Sequence, residues 1–116
     1  MRVTITERHC EVPKRVLDRT ESQVAGLAKF EQRASHAEVI YSEEKRSMKI
    51  EIVVFVDGAP EVAARGEGGD FRKALDQGVE RMRRQLREQR ERRRDHQAPP
   101  LSESLTADIS EEPADE

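Results

Sequence analysis

Residues 71–94 change character halfway along. Phe71, Leu75, Gly78, Val79, Met82 and Leu86 fall within an arc of about 100° when successive residues are turned as in an α-helix, which marks one buried stripe. After Leu86 the stripe stops, yet helix-forming residues continue to about Asp95. Residues 81–94 read RMRRQLREQRERRR, eight arginines and two glutamates in fourteen positions. On the helical wheel Arg72, Lys73, Arg83, Arg84, Arg87, Arg90 and Arg94 lie opposite the apolar stripe. Spaced pairs such as Arg87–Glu91 each stabilise a solvated helix by only about 0.2–0.5 kcal/mol. The excess of six positive charges leaves like-charged neighbours one turn apart (Arg83–Arg87, Arg90–Arg94) without a counter-charge. Arginine stays ionised at biological pH and grips phosphate bidentately. The pattern therefore predicts a helix with its apolar face on a core and its cationic face on a nucleic acid.

The formal net charge of -3 hides two parts of opposite sign. Residues 1–96 carry 21 basic and 18 acidic groups, a net of +3, while 97–116 carry no Lys or Arg and six acidic residues, a net of -6. Pro99-Pro100 ends any helix, and the remainder lacks the periodicity to fold alone. The expected organisation is one domain over 1–96 and an acidic disordered tail over 97–116. The tail is either a solubilising end or a tethered polyanion that folds back on the arginine helix as a competitor.

The rest of the body supplies a sheet for that helix. Residues 2–6 (RVTIT) alternate, with Val3 and Ile5 on one face. Pro13 suits a first helical turn, and Val16, Leu17, Thr20, Val24, Leu27 and Ala28 form a stripe that predicts a helix over 13–31. Strands follow at 37–43 and 47–57, the second placing Met48, Ile50, Ile52, Val54 and Val56 on one side. Asp57-Gly58 is a turn signal, 60–67 is a fourth strand, and Asp70 can cap the second helix. The order β-α-β-β-β-α makes the first two strands parallel and the others antiparallel. The expected fold class is α+β, a two-layer sandwich whose four-stranded mixed sheet carries both helices on one face.

Little else in the chain suggests chemistry. His9 and Cys10 are adjacent, but no second pair stands at metal-ligand spacing, and Cys10 is the only cysteine. The run Gly66-Glu67-Gly68-Gly69 lacks the lysine of a phosphate-binding loop, and Asp70 after it would repel phosphate. No nucleophile with a base and orienting group can be assembled, so no catalytic, metal or cofactor residue is assigned and the chain is not read as an enzyme. No apolar signal core opens the sequence and no run approaches membrane-spanning length, which predicts a cytoplasmic protein with no membrane partner and no small-molecule substrate. There is no Trp and one Tyr. Phe55, on the outer face of the third strand, is the only candidate for stacking a base, with Phe30 and Phe71 expected in the core. An arginine-faced helix without aromatics suits helical RNA read through its backbone shape.

The order of elements and certain motifs resemble the ribosome hibernation promoting factor family. They are Val3-Thr4-Ile5-Thr6, then Glu11-Val12-Pro13 before the first helix, and Leu27, Lys29 and Phe30 at its end. On the second helix they are Asp70-Phe71, Ala74-Leu75-Asp76, Met82 and Arg84-Gln85-Leu86. The resemblance covers nearly all of 1–95. It implies a fold similar to double-stranded RNA-binding domains. It also implies a monomeric stationary-phase or stress protein that sits on small-subunit rRNA, in the channel for mRNA and tRNA, and protects idle ribosomes. Arg81, Arg84, Arg87 and Arg90 match the family's basic positions and would meet rRNA phosphates. Arg83, Arg92 and Arg94 extend that RNA-binding surface on charge patterning alone. The acidic tail resembles the short, inhibitor A type of the family, which implies stabilisation of single ribosomes. Two departures stand out. Arg72 and Gly78 replace a Tyr and a Leu, which should loosen packing beside the helix, and Gln23 and Gly26 remove basic residues from the first helix. Alternative functions are a general double-stranded RNA binder and a protein-interaction module that docks an acidic partner.

Overall fold

The computed structural model describes the backbone of residues 1–97 and the side chains as far as Arg93, so the acidic stretch from 98 onward lies outside the described residues. The elements run β1 (Arg2–Arg8), α1 (Lys14–Ala25), a 3-10 segment (Gly26–Phe30), β2 (Ala34–Glu44), β3 (Ser47–Val56), β4 (Val62–Gly68) and α2 (Phe71–Gln97). The sheet has the order β1-β2-β3-β4, with β1 parallel to β2 and the other neighbours antiparallel. This is the expected α+β sandwich, a four-stranded mixed sheet with the helices packed on one face.

Register explains the layer. Ile5, Val39, Ile52 and Ala64 form one inward row across all four strands, and Val3, Ala37, Val54 and Val62 form the next. Their neighbours in sequence, such as Glu38, Val53 and Ala63, point to the outer face. α1 lies by β1, and α2 by β3 and β4. Between them the core closes on Val24, Leu27, Tyr41, Ile50, Leu75, Met82 and Leu86, all 2% exposed or less. No helix among the described residues is long and apolar enough to cross a membrane.

Three local expectations are revised. Pro13 is the cap of α1, not its first turn, with φ -55° and ψ 144° and its carbonyl accepting from the N–H groups of Val16 and Leu17. The helix predicted over 13–31 stops at Ala25 and tightens into the 3-10 segment, which turns Leu27 into the core and leaves Phe30 half-buried. Gly78 does not loosen the packing. A Cβ on Gly66 of β4 would sit 2.2 Å from the Ala74 carbonyl oxygen and 2.6 Å from the Gly78 nitrogen, so helix and strand backbones touch at this crossing. A leucine at 78 would be forced into Ile50 and Ile52 of β3, whose side chains already lie 2.9 and 3.3 Å from where its Cβ would be.

One buried polar contact ties α1 to the sheet. Thr20, fully buried, donates its hydroxyl proton to the Val16 carbonyl (2.6 Å). It therefore accepts from the Tyr41 hydroxyl at 2.5 Å. Burial pushes the Tyr41 hydroxyl up to about 12 from 10.0. Between those values the unfolded chain has lost a proton that the folded chain keeps. This contribution to stability is therefore complete below about pH 10 and is lost as pH rises toward about 12.

Two substitution series check these contacts. Tyr41→Phe should cost about 1 kcal/mol at neutral pH and flatten the alkaline fall in urea-denaturation stability between about pH 10 and 12. Gly66→Ala should cost about 3 kcal/mol because it meets backbone. Gly78→Ala should stay within about 1 kcal/mol of the parent, since the ends of Ile50 and Ile52 can shift and the helix gains propensity.

Candidate nucleic-acid interface

α2 starts where the sheet ends. The Asp70 carboxylate accepts from the Lys73 N–H at 2.8 Å and its carbonyl from the Ala74 N–H at 3.1 Å, the expected cap. Phe71, Ala74, Leu75, Gly78, Met82 and Leu86 are buried, and no described residue of α2 after Leu86 is. From Arg84 to Arg92 the exposed part advances about 12 Å at the usual helical rise.

The arginines singled out by charge patterning do not form one uniform face. Arg84, Arg87, Arg90 and Arg92 are exposed on the helix. Arg84 Nη2 lies 3.7 Å from Glu80. Among the described residues no carboxylate reaches Arg87, Arg90 or Arg92 within ion-pair distance. Arg83 is half-buried and largely spent within the domain. It donates to Glu80 from Nη2 at 2.5 Å and from Nε at 3.3 Å, and its guanidinium sits 6.0 Å from the Phe30 ring centre. Arg83 thereby holds the Glu80 carboxyl below its ordinary value. Arg81 turns to the far flank, donating to the Arg65 carbonyl of β4 at 2.9 Å. There it lines a depression of 310 Å³ with Arg8, Lys49 and Arg65. The Arg94 side chain lies outside the described residues, although its backbone continues α2.

A smaller hollow of 190 Å³ lies on the helix surface between Arg83, Arg84 and Arg87, bordered by Glu88 and Glu91. The exposed Arg84 and Arg87 at its rim are of the kind that grips phosphate bidentately. At the opposite end of the helical layer a groove of 850 Å³ separates α1 from the first turn of α2, rimmed by Arg15, Arg19, Arg72 and Lys73 over Val16 and Phe71. Charge patterning singled out neither Arg15 nor Arg19. They come from another helix and only the fold brings them beside Arg72. Arg19 is partly engaged, 3.9 Å from Asp76 of α2. Lys14 pairs with Asp18 at 3.3 Å.

Arg93 was not among the expected site residues, and its position is distinct. It forms an ion pair with Glu31, a carboxylate 4% exposed at the end of the 3-10 segment. The signal was present in the spacing, because Arg93 follows Leu86 by seven residues, where the buried stripe would continue. The last turns of α2 are therefore fastened to the domain.

The aromatics are split by the sheet. Phe55 lies on the outer face as expected, stacked on His36 with ring centres 5.6 Å apart, on the side away from α2. Phe30, expected in the core, is half-buried beside the cationic helix with Lys29 Nζ 5.3 Å from its ring centre. Among the described residues no group of three His, Cys, Asp or Glu side chains is placed to hold a metal. The arrangement can bind phosphate along a rigid rod, and the one aromatic beside it, Phe30, is half-buried with cations packed near its ring.

This geometry has relatives. A family model described as sigma 54 modulation protein / S30EA ribosomal protein matches residues 3–94. A ribosome hibernation promoting factor from Azotobacter vinelandii is 31% identical over 97 residues, which cover 84% of this chain and 90% of that one. A ribosomal subunit interface protein from Coxiella burnetii superposes with a TM-score of 0.72 at 18% identity, covering 78% of this chain and 99% of that one. The N-terminal domain of Protein Y from Thermus thermophilus superposes with 0.66 at 24% identity, covering 76% and 98%. These two structures share the fold. With the family match spanning β1 to the last turns of α2, the chain belongs to the sigma 54 modulation protein / S30EA ribosomal protein family.

Proposed function

We propose that this protein is a ribosome hibernation factor. It binds rRNA of the small subunit through the exposed arginine row of α2, in the channel that mRNA and tRNA occupy, and so stabilises idle ribosomes. The observation that carries this reading is the exposure of Arg84, Arg87, Arg90 and Arg92 along a helix that outruns its own core. Family membership and the hibernation factor related to it support the ribosome as partner. In this reading Arg84 and Arg87 are the central phosphate contacts, with Arg90, Arg92 and Arg94 extending them toward the helix end. Arg83 shapes the surface more than it binds, because Glu80 and Phe30 occupy it. Arg81 meets phosphate only if RNA also wraps the β4 edge. The protein acts as a monomer in the cytoplasm and keeps ribosomes single.

A second reading, a general duplex-RNA binder, is favoured by α1. Gln23 stands where the resemblance led us to expect a cation, and its amide oxygen, suitably oriented, accepts from Arg19. Co-sedimentation with small subunits and with random duplex RNA across a salt series separates the two readings. Salt-sensitive binding that prefers the subunit supports the ribosomal role, and equal affinity for both supports the general one.

Within that assay, Arg84→Ala and Arg87→Ala should each weaken subunit binding and reduce the salt slope by about one unit. Slopes equal to the parent's in both variants would refute the assignment. Removing the acidic tail, 97–116, should tighten binding to random duplex RNA, because its six acidic residues compete with phosphate. On sucrose gradients the overproduced protein should leave ribosomes as single particles. Accumulation of ribosome pairs would count against that part of the proposal.

A further inference from the structure

α2 has eleven residues beyond Leu86, five of them arginines, and none of those described is buried. Intrinsic propensity favours a helix there, but repulsion among the arginines opposes it, and a terminal stretch without apolar contacts frays. Only a contact outside the helix can hold its direction. The Arg93–Glu31 pair makes that contact across 62 positions of sequence, with the Glu31 side chain 5% and the Arg93 side chain 26% exposed.

Both carboxylate oxygens of Glu31 are engaged. Oε2 accepts the Arg33 backbone N–H at 2.9 Å, and Oε1 accepts from Arg93. The backbone that carries Glu31 is also fixed, its N–H donating to Ala28 and its carbonyl accepting from Ala34. A buried carboxylate left without a cation is strongly unfavourable, so the loop has its own reason to keep Arg93 in place. Arg33 Nε lies 3.9 Å from Oε2 and is itself more exposed, so it is a weaker substitute.

We propose that Glu31 and Arg93 are positioning residues. Their ion pair latches the last turns of α2 to the end of the 3-10 segment, so that Arg87, Arg90 and Arg92 are presented to RNA as one rigid set. Arg93 is withdrawn from phosphate binding to do so. The inference rests on the RNA-binding role of α2 proposed above. It goes further in assigning part of that affinity to an acidic residue that never meets RNA.

The sign of one substitution tests it. Glu31→Gln removes a negative charge, so electrostatics alone would tighten binding to a polyanion. The latch predicts the reverse. If the latched fraction falls to about a tenth, apparent affinity for purified small ribosomal subunits falls about tenfold. Amide exchange across 88–97 should speed up by a similar factor, about tenfold. The salt slope should stay near the parent's, because the bound helix still makes the same phosphate contacts. The exchanged pair Glu31→Arg with Arg93→Glu should recover both exchange protection and affinity. Arg93→Gln, made at the less buried partner, provides the same comparison should Glu31→Gln lower overall stability. Tighter binding by Glu31→Gln, unchanged exchange over 88–97, or no recovery in the exchanged pair would overturn the proposal. So would a loss of one slope unit in Arg93→Gln with exchange intact, which would make Arg93 an ordinary phosphate contact. Arg87→Ala in the same assay reports on the RNA reading itself. It should lower the slope without altering exchange, and its failure would strike that reading and not the latch.

Discussion

The contact between α2 and the sheet is the constraint from which the rest of the molecule follows. Gly66 and Gly78 let helix and strand backbones meet directly, and the short distance seats Leu75, Met82 and Leu86 in the core beside Ile50 and Ile52. Because the helix lies so close, its opposite face is lifted clear of the domain and stays in water. A helix held by wider side-chain packing would have had more freedom to roll, and its arginines would have had no fixed bearing. The cationic surface is thus a consequence of how the apolar side is anchored at one end by glycines and at the other by the Arg93–Glu31 pair.

The parts of this architecture that follow from periodicity were legible in the sequence. The alternation in β3 and the stripe in α2 each bury the residues they identify, except that Met48, near the start of its strand, and Val79 of α2 are only half-buried. The capping role of Asp70 was legible because it depends on a neighbour three residues away. What could not be read were contacts between distant segments. Nothing in the pattern around Glu31 points to a partner 62 positions later. A comparison of residue types also suggested that Gly78 weakens packing, whereas the geometry places it against Gly66 where helix and strand backbones meet. The site shows the same division. The wheel identifies a cationic helix, but only the fold reveals that Arg81 is bonded to β4 and that Arg83 is held by Glu80.

The distribution of charge gives the surface its grain. Carboxylates lie among the arginines of α2, and Glu80 within the helix and Glu31 at the end of the 3-10 segment each hold a guanidinium group at either end of the exposed row. Arginines carried between those two held groups sit on a helix of fixed direction and lose less freedom on meeting phosphate than flexible lysines would, which favours recognition of a regular, repeating backbone. The outer face of the sheet is of another kind. Its cations are paired across strands, as in Arg65–Glu51 at 3.5 Å and Lys49–Glu44 at 2.7 Å, and its half-exposed apolar residues are scattered among them.

Arg81, turned away from its neighbours, has a consequence at the margin of the sheet. β4 is a border strand, and a border strand offers unpaired backbone groups to which a second polypeptide can add. Here α2 interrupts that offer with its own side chains. Arg81 donates to the Arg65 carbonyl, and two residues along the strand the Gln77 amide oxygen accepts from the Glu67 N–H at 2.8 Å. The helix thereby guards this edge of the sheet against pairing with a strand from another chain.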